Sequence, residues 1–163
     1  MRINSTGNFP DPAYLRTTIG ASFDTKNVAT FSGKTATLSL WDFGGQMRFI
    51  EHLKTMIRGA AIGLLFFDVS RLQTLDSLEN YWIPAIEKNS TLNLKNGDGE
   101  RFLLVANKVD LINGAQIDFI AGEVAHFLKT YNLETHFISA KTGMGIEHLD
   151  QSFMEIVDRF IPE

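Results

Sequence analysis

Three short apolar segments constrain the fold of this 163-residue chain more than any other feature of its sequence. They lie at residues 63–69, 102–106 and 136–138. Each segment is too short for a helix and is apolar on both faces, as strands buried within a parallel sheet are. Helical periodicities fill the intervals between them and follow the last one. Strands that alternate with helices in this way predict an α/β fold with a parallel sheet covered on both sides.

A β-hairpin is predicted ahead of these strands. Residues 35–41 alternate apolar and polar side chains, which is the period of a half-buried strand, and a first strand is predicted over residues 27–31. Gly33 stands in the break between the two runs, as is typical of a hairpin turn. The polar residues 89–100 are predicted to form a surface loop. The sequence thus predicts a hairpin followed by an open, doubly wound sheet, with helical stripes at Leu75, Leu78, Trp82 and Ile86, at Ile117, Ile120, Val124 and Leu128, and at Leu149, Phe153, Ile156, Val157 and Phe160.

Composition narrows the classes of protein to which the chain can belong. Its length suits a single domain over residues 1–163. The absence of cysteine excludes cysteine-ligated zinc, thiol catalysis, and prenyl or palmitoyl anchors. With 15 Lys and Arg against 19 Asp and Glu, the net charge of −4 disfavours nucleic acid as a partner. No apolar run reaches the roughly 18–20 residues of a membrane span, and we expect a cytoplasmic protein without a lipid anchor.

Polar residues follow three of the predicted strands at their carboxyl ends. Residues 42–46 read Asp-Phe-Gly-Gly-Gln, residues 107–110 read Asn-Lys-Val-Asp, and residues 139–141 read Ser-Ala-Lys. Each set by itself is compatible with an ordinary turn or the start of a helix. Because ligands of doubly wound sheets bind outside the carboxyl ends of the strands, the three sets together indicate a ligand site at that edge.

These sets resemble the motifs of the Ras superfamily of small GTPases. Residues 107–110 resemble the guanine-specificity motif, residues 139–141 its partner loop, and residues 42–46 the start of switch II. Residues 17–23, Thr-Thr-Ile-Gly-Ala-Ser-Phe, resemble the switch I stretch of Rab-type members. The resemblance extends over about residues 9–160. It implies a P-loop NTPase-like small G domain, GTP or GDP with Mg²⁺ as ligands, and a switch that hydrolyses GTP.

The resemblance assigns one group of residues to the guanine base. Guanine presents two N–H donors on one edge, and the Asp110 carboxylate would accept both in charge-assisted hydrogen bonds. Adenine has an acceptor in place of one donor, so Asp110 would reject it. The other implied roles are Lys108 and Lys141 on the two faces of the base, the backbone N–H of Ala140 on the guanine oxygen, and Asn107 and Ser139 as braces between the loops.

A second group is implied for the phosphates and the metal. Thr18 would ligate Mg²⁺ in the GTP state, and Asp42 would hold it through water. The backbone N–H of Gly45 would contact the γ-phosphate, which calls for a residue that allows close approach. Gln46 would be the catalytic residue that orients the attacking water.

One part of the family pattern does not occur in these 163 residues: a strand followed by G-x-x-x-x-G-K-[ST] and a helix. Gly33-Lys34-Thr35 does not supply it, because Val28 stands where the first glycine belongs and a strand follows. Without the phosphate contacts of that loop, a nucleotide would bind about 8–10 kcal/mol more weakly as an upper bound, or about six decades. The sheet must also close the gap left by its central strand, borrow a strand from a partner or swapped copy, or have lost a segment.

Two functions stay open at this stage. One is a GTP-hydrolysing switch, favoured by the intact motif residues described above. The other is a pseudo-GTPase or scaffold that binds partners without tight nucleotide binding, favoured by the missing phosphate loop. In either case we expect effector or regulator proteins to contact residues around 18–23 and 41–57. Phe23 and Trp41 match partner-facing positions of the family, with support of the core as the other interpretation.

Overall fold

The computed structural model describes residues 20–45 and 55–160. Nine strands and helices organise the described residues, joined by shorter turns. In chain order they are β1 (Ala21–Ala29), β2 (Thr35–Phe43), β3 (Gly63–Asp68), α1 (Gln73–Ser77), α2 (Ile83–Asn89), β4 (Phe102–Asn107), α3 (Gly114–Tyr131), β5 (Glu134–Ile138) and α4 (Ile146–Phe160).

A parallel sheet of three strands, in the order β3-β4-β5, forms the centre of the fold. Its register sets Asp68 beside Asn107, and Asn107 beside Ile138, so the carboxyl ends of all three strands are level. Residues 102–106 of the central strand are all buried, which explains why their sequence is apolar on both faces. The strands predicted over residues 63–69, 102–106 and 136–138 are confirmed to within two residues at each end.

Helices cover both faces of this sheet. On one face, Leu65 and Leu104 pack in a cluster with residues of α1, α2 and α3. On the other face, Leu103 and Val105 pack against Leu149 and Ile156 of α4. The prediction of an α/β, doubly wound fold with a mostly parallel sheet and one antiparallel hairpin is confirmed.

The hairpin begins earlier than its sequence predicts. Strand β1 spans Ala21–Ala29, so the predicted strand over residues 27–31 was wrong at both ends. Residues 23–27 are all exposed, and a strand with no buried face carries no alternation that a sequence pattern could reveal. Its pairing with β2 sets its extent, from Ala21 opposite Phe43 to Ala29 opposite Thr35. Within the described residues, neither hairpin strand pairs with the three-stranded sheet.

The hairpin turn is fastened to the last turns of α4. The backbone N–H and hydroxyl of Ser32 donate to the two carboxylate oxygens of Asp158, at 3.1 and 2.5 Å. The hydroxyl bond from Ser32 is the main cause that lowers the pKa of Asp158, with a further contribution from Thr30. This contact joins the hairpin to a helix that also packs on the central sheet.

A π-helical turn, Leu78–Trp82, separates α1 from α2. Its wider loop is closed by the backbone N–H of Ile83, which donates to the carbonyl of Leu78. Pro84 follows at the start of α2, where a missing N–H is tolerated. The predicted stripe from Leu75 to Ile86 thus lies on three consecutive helical segments rather than on one regular helix.

Residues 89–100 are not the surface loop that their polarity predicts. Leu92 and Leu94 are buried, and two short 3₁₀ turns span Leu94–Asn96 and Asp98–Arg101. Gly99 is buried as well, and a Cβ at this position would collide with the backbone oxygens of Tyr131 and Asn132. The segment is therefore packed against the end of α3, and its glycine permits the close approach.

Among the residues that the structure describes, no helix combines the length and the apolar character needed to cross a membrane. The longest, α3, is bounded by polar caps. At its start the Asn113 side chain accepts from the N–H of Gln116 while the Gln116 side chain accepts from the N–H of Asn113. At its end Asn132 adopts the left-handed conformation that closes many helices.

Candidate functional site

Three loops meet at the carboxyl edge of the parallel sheet, one after each strand. They comprise residues 68–71 after β3, residues 107–111 after β4 and residues 139–145 after β5. Neighbouring strands lie about 4.8 Å apart, so the level strand ends bring these loops within side-chain reach of one another. We call this arrangement the three-loop site.

Asn107 connects the second loop to the third. Its side-chain oxygen accepts the backbone N–H of Lys108 at 2.8 Å and that of Ala140 at 3.0 Å. Lys108 adopts a left-handed backbone conformation, with φ at 72°, which is uncommon for a side-chain-bearing residue. Such conformations persist where the surroundings enforce them, and they cluster at functional sites. The bracing role predicted for Asn107 agrees with this geometry, whereas the N–H of Ala140 is here directed to Asn107.

Ser139 holds the carboxylate of Asp110. Its hydroxyl donates to Oδ1 of Asp110 at 2.6 Å, and Oγ of Ser139 in turn accepts the N–H of Thr142 at 3.1 Å. Ser139 is completely buried, whereas Asp110 is exposed. The hydrogen bond from Ser139 engages Oδ1 of Asp110 and does not involve Oδ2. The serine therefore fixes the direction of a carboxylate that is itself open to solvent.

Asp68, the last residue of β3, is a site residue that the sequence reasoning did not single out. Its side chain is 8% exposed and accepts Lys108 Nζ at 2.7 Å on Oδ2. Arg71 Nε donates to the same oxygen at 3.0 Å, and the N–H and hydroxyl of Ser70 donate to Oδ1 at 3.0 and 2.6 Å. An acidic residue that ends an apolar strand, level with the asparagine of the next strand, was the available signal.

The protonation state of Asp68 follows from these contacts. Burial raises the pKa of Asp68, but the hydrogen bonds from Lys108, Ser70 and Arg71 outweigh burial and lower the pKa to about 2. The carboxylate is thus ionised throughout the neutral range and forms a charge-assisted pair with the Lys108 ammonium. The first loop is in this way tied to the second by an ion pair that is shielded on the aspartate side.

A cavity of about 280 Å³ adjoins the three-loop site. Gly45, two residues beyond the end of β2, lines it together with Asp68, Asn107 and Lys108. The residue that lies just beyond the carboxyl end of β2 is thus close to the carboxyl ends of β3 and β4. The remaining lining residues are Phe66, Phe67, Arg71, Thr74, Ser77, Leu78 and Trp82.

The structure brings together most of the residues predicted for the base. Lys108 and Lys141 are both exposed, and they lie on the second and third loops respectively. Gly45 lies at the cavity, on the side of the hairpin. Thr18 and Gln46, predicted as metal ligand and catalytic residue, lie outside the described residues.

Asp42 is the predicted Mg²⁺ residue that the structure does describe. It is partly buried near the end of β2, opposite Ser22 in the hairpin register. Across residues 20–45 and 55–160, no three acidic or histidine side chains cluster closely enough to hold a metal ion. Proteins commonly hold Mg²⁺ through one or two carboxylates together with the phosphates of a substrate. Asp42 fits a supporting role for Mg²⁺ bound with phosphates, but the described residues form no metal site by themselves.

An aromatic pair stands on the hairpin. Phe23 and Trp41 face each other across β1 and β2, with ring centroids 4.7 Å apart and ring planes at 47°. Phe23 is 54% exposed and Trp41 is 43% exposed. Rings this open to solvent do not support a core, so the geometry favours the surface interpretation of the two.

Comparison with known proteins identifies similar sequences along nearly the whole chain. The model of the Ras family matches residues 5–161. The chain is 31% identical over 142 residues to Ras-related protein Rab-1 of Theileria annulata, covering 85% of this chain and 60% of the relative. It is 33% identical over 131 residues to Ras-related protein RabC of Dictyostelium discoideum, with 79% and 62% covered. For Ras-related protein Rab-18-B of Danio rerio the identity is 33% over 147 residues, with 90% and 65% covered. The chain spans less than two thirds of the length of these relatives.

Proposed function

Because this chain belongs to the Ras family of small GTPases, we propose that it binds guanine nucleotides at the three-loop site and works as a nucleotide-dependent switch. The observation that carries the proposal is the pairing of Asp110 with the buried hydroxyl of Ser139. It leaves an exposed carboxylate in a fixed direction beside two exposed lysines, at the edge of the sheet where ligands of such folds bind.

Base recognition follows from the chemistry of that carboxylate. The Asp110 carboxylate can accept the two N–H donors on one edge of guanine, one on each oxygen, because Oδ1 has a second lone pair besides the one that Ser139 engages. Adenine would leave the carboxylate facing an acceptor, and an unpaired or repelled polar group discriminates strongly between ligands. Lys108 and Lys141 would cover the two faces of the base with their aliphatic stems. For Ala140 to meet the guanine oxygen, its N–H would have to leave or share its bond with Asn107.

The phosphate half of the proposal rests on family membership and on Gly45. Gly45 lines the cavity next to Lys108, where its backbone N–H would contact a γ-phosphate. Asp42 would support Mg²⁺ through water and Thr18 would ligate it directly; the ion would neutralise phosphate charge. Gln46 would orient the water that attacks GTP, which makes hydrolysis part of the proposal.

Nucleotide titration of the purified chain tests the proposed function. We expect GDP and GTP to release or absorb heat in a calorimeter in the presence of Mg²⁺, and ATP to bind far more weakly. Guanine-specific binding tighter than about 1 μM would mean that phosphate contacts are supplied from within the chain. Binding weaker than about 1 mM, or equal for the two bases, would contradict the switch proposal for this chain.

A second function, a pseudo-GTPase that binds partners without tight nucleotide binding, is supported by a specific observation. The Ala140 N–H, assigned to the guanine oxygen, is engaged by Asn107. The sequence also contains no G-x-x-x-x-G-K-[ST] pattern within its 163 residues. Under this alternative the same loops would be a fixed scaffold, and the titration would give the weak or unspecific result.

We propose the Phe23–Trp41 pair as part of a surface for effector or regulator proteins, together with residues around 18–23 and 41–57. Replacing Trp41 with alanine is expected to lower the free energy of unfolding by about 1 kcal/mol, mainly through the lost ring contact. Thermal unfolding measures this cost. Leu104→Ala is the control, since that fully buried side chain should cost about 2–5 kcal/mol. A loss at Trp41 as large as the loss at Leu104 would contradict a surface role.

We also propose that a strand from a partner or a swapped copy adds to the sheet. Within the described residues, β2 pairs with β1 alone and β3 pairs with β4 alone, so each strand has one edge without a partner strand. The second edge of β3 is apolar, with Leu64 exposed, and such an edge invites a further strand. A strand from a partner or a swapped copy would pair with this edge. Sedimentation over a range of concentrations tests the swap, and a monomer at all concentrations would contradict it.

A further inference from the structure

We propose that Asp68 is a positioning residue of the three-loop site, which holds the ammonium of Lys108 so that the lysine stem is fixed along one face of the base. The proposal rests on the proposed function, because it assigns Lys108 to a base. It adds a residue outside the guanine motifs, on a different strand, to the group that determines nucleotide affinity.

The carboxylate of Asp68 is oriented before it meets the lysine. Ser70 donates twice to Oδ1, through its N–H and its hydroxyl, and these bonds close a tight turn directly after β3. The remaining oxygen, Oδ2, accepts Lys108 Nζ at 2.7 Å. Since the Asp68 side chain is 8% exposed, it has little room to take another orientation.

Lys108 is held at both of its ends. At the backbone, its N–H donates to Asn107 Oδ1, and its left-handed φ of 72° directs the chain away from β4. At the tip, its ammonium lies on Asp68. A lysine with both ends fixed has its methylene stem stretched between them. About half of the side chain, 46%, stays exposed, and that part is available to lie against a planar ligand.

Arg71 shares Oδ2 of Asp68, but it does not replace Lys108. The Arg71 side chain is 65% exposed, against 46% for Lys108. Arg71 belongs to the same loop as Asp68, whereas Lys108 belongs to the neighbouring loop. A more exposed cation contributes a weaker, more strongly screened interaction. The structure thus gives the Asp68 carboxylate two partners on its own loop, Ser70 and Arg71, and one on the neighbouring loop, Lys108.

Asp68→Asn tests the proposal because it keeps the shape of the side chain and removes its charge. We expect the affinity for GDP to fall about 10-fold, since the lysine loses its fixed position. The preference for GDP over ADP should change little, because Asp110 determines it. In a Lys108→Met background the same substitution should have less than about a 2-fold effect on affinity.

Lys141→Met provides the matched background. Lys141 is also assigned to a face of the base but has no contact with Asp68 among the described residues, so Asp68→Asn should keep its 10-fold effect there. Equal effects in all backgrounds would mean that Asp68 acts on the fold as a whole, and would overturn the proposal. An unchanged affinity in the single variant would overturn it as well.

A measurement without nucleotide separates this proposal from the proposed function. In a ¹H–¹⁵N NMR correlation of lysine ammonium groups at low temperature, the paired Lys108 ammonium should give a protected signal that Lys108→Met identifies and Asp68→Asn removes. If wild-type protein binds no guanine nucleotide, the proposed function fails, and this signal still reports whether Asp68 fixes Lys108. Its absence in the wild-type protein would overturn the positioning role, whatever the nucleotide result.

Discussion

Replacing Asp110 with alanine is expected to abolish the preference of this chain for GDP over ADP. Two charge-assisted hydrogen bonds to guanine, at about 1.5–3 kcal/mol each, correspond to a loss of about 100-fold to 10,000-fold in GDP affinity. Affinity for ADP should stay the same or rise, because the variant removes a repelled carboxylate. Competition of each nucleotide against a fluorescent guanine nucleotide, or direct calorimetry, measures the ratio.

The control for this variant is Ser139→Ala. It removes the hydroxyl that donates to Asp110 at 2.6 Å but keeps the carboxylate. We expect GDP affinity to fall about 10-fold, with guanine still preferred, because the carboxylate loses direction and keeps charge. Because Asp110→Ala leaves the buried Ser139 hydroxyl without its acceptor, we also expect it to lower the free energy of unfolding by about 1–3 kcal/mol. A GDP preference that survives Asp110→Ala would show that this carboxylate does not read the base.

Gly145→Ala is expected to be among the most destabilising single-methyl substitutions in the described chain. Gly145 has φ of +73°, and a Cβ there would lie 2.5 Å from the carbonyl oxygen of Phe137. The left-handed conformation costs an alanine about 1–2 kcal/mol. Overpacking against the backbone of β5 adds about 1–3 kcal/mol. The sum, about 2–5 kcal/mol, should lower the unfolding temperature by roughly 5–15 °C in a chain of this size.

Gly143→Ala isolates the contribution of the close approach. Gly143 also has a positive φ, +85°, but a Cβ there would meet no heavy atom within 4 Å. It should therefore show the backbone cost alone, about 1–2 kcal/mol. Both glycines lie in the loop after β5, so differences in local environment are small. Equal changes in unfolding temperature for the two variants would mean that the backbone of β5 yields to the added methyl group.

The sequence predicts the buried strands well and the exposed ones poorly. Residues 102–106 are apolar because both faces of β4 are covered, and a pattern caused by burial can be read without a structure. Strand β1 is held by pairing with β2 while its side chains are in solvent, so its pattern carries no such information. The prediction for residues 89–100 was wrong for the opposite reason, because a segment of polar composition is packed against the protein. Its Gly99 is buried where the backbone approaches the end of α3 closely. That residues 1–163 form one domain stays a prediction.

The residues of the three-loop site also differ in how well the sequence predicts them. The family motifs identify Asn107 and Asp110 from sequence because these residue types are tied to the chemistry of the base. Asp68 belongs to no such motif, and its importance depends on a register that sets it beside Asn107 and within 2.7 Å of Lys108. Contacts between residues forty positions apart depend on how strands align, which spacing along the chain does not reveal.

Two hydrogen bonds between the loops also determine at which stage the entropic cost of ordering the loops arises. They join Asn107 to Ala140 and Ser139 to Asp110. Both join loops of the same chain, so the conformational entropy of these loops is lost as the protein folds. A ligand that reaches them meets a preorganised surface, and little of its binding free energy is consumed in ordering loops. Weak binding at this edge of the sheet would then reflect how few atoms the ligand touches. Association would not have to wait for a rearrangement, and differences in affinity would appear mainly in the rate of dissociation.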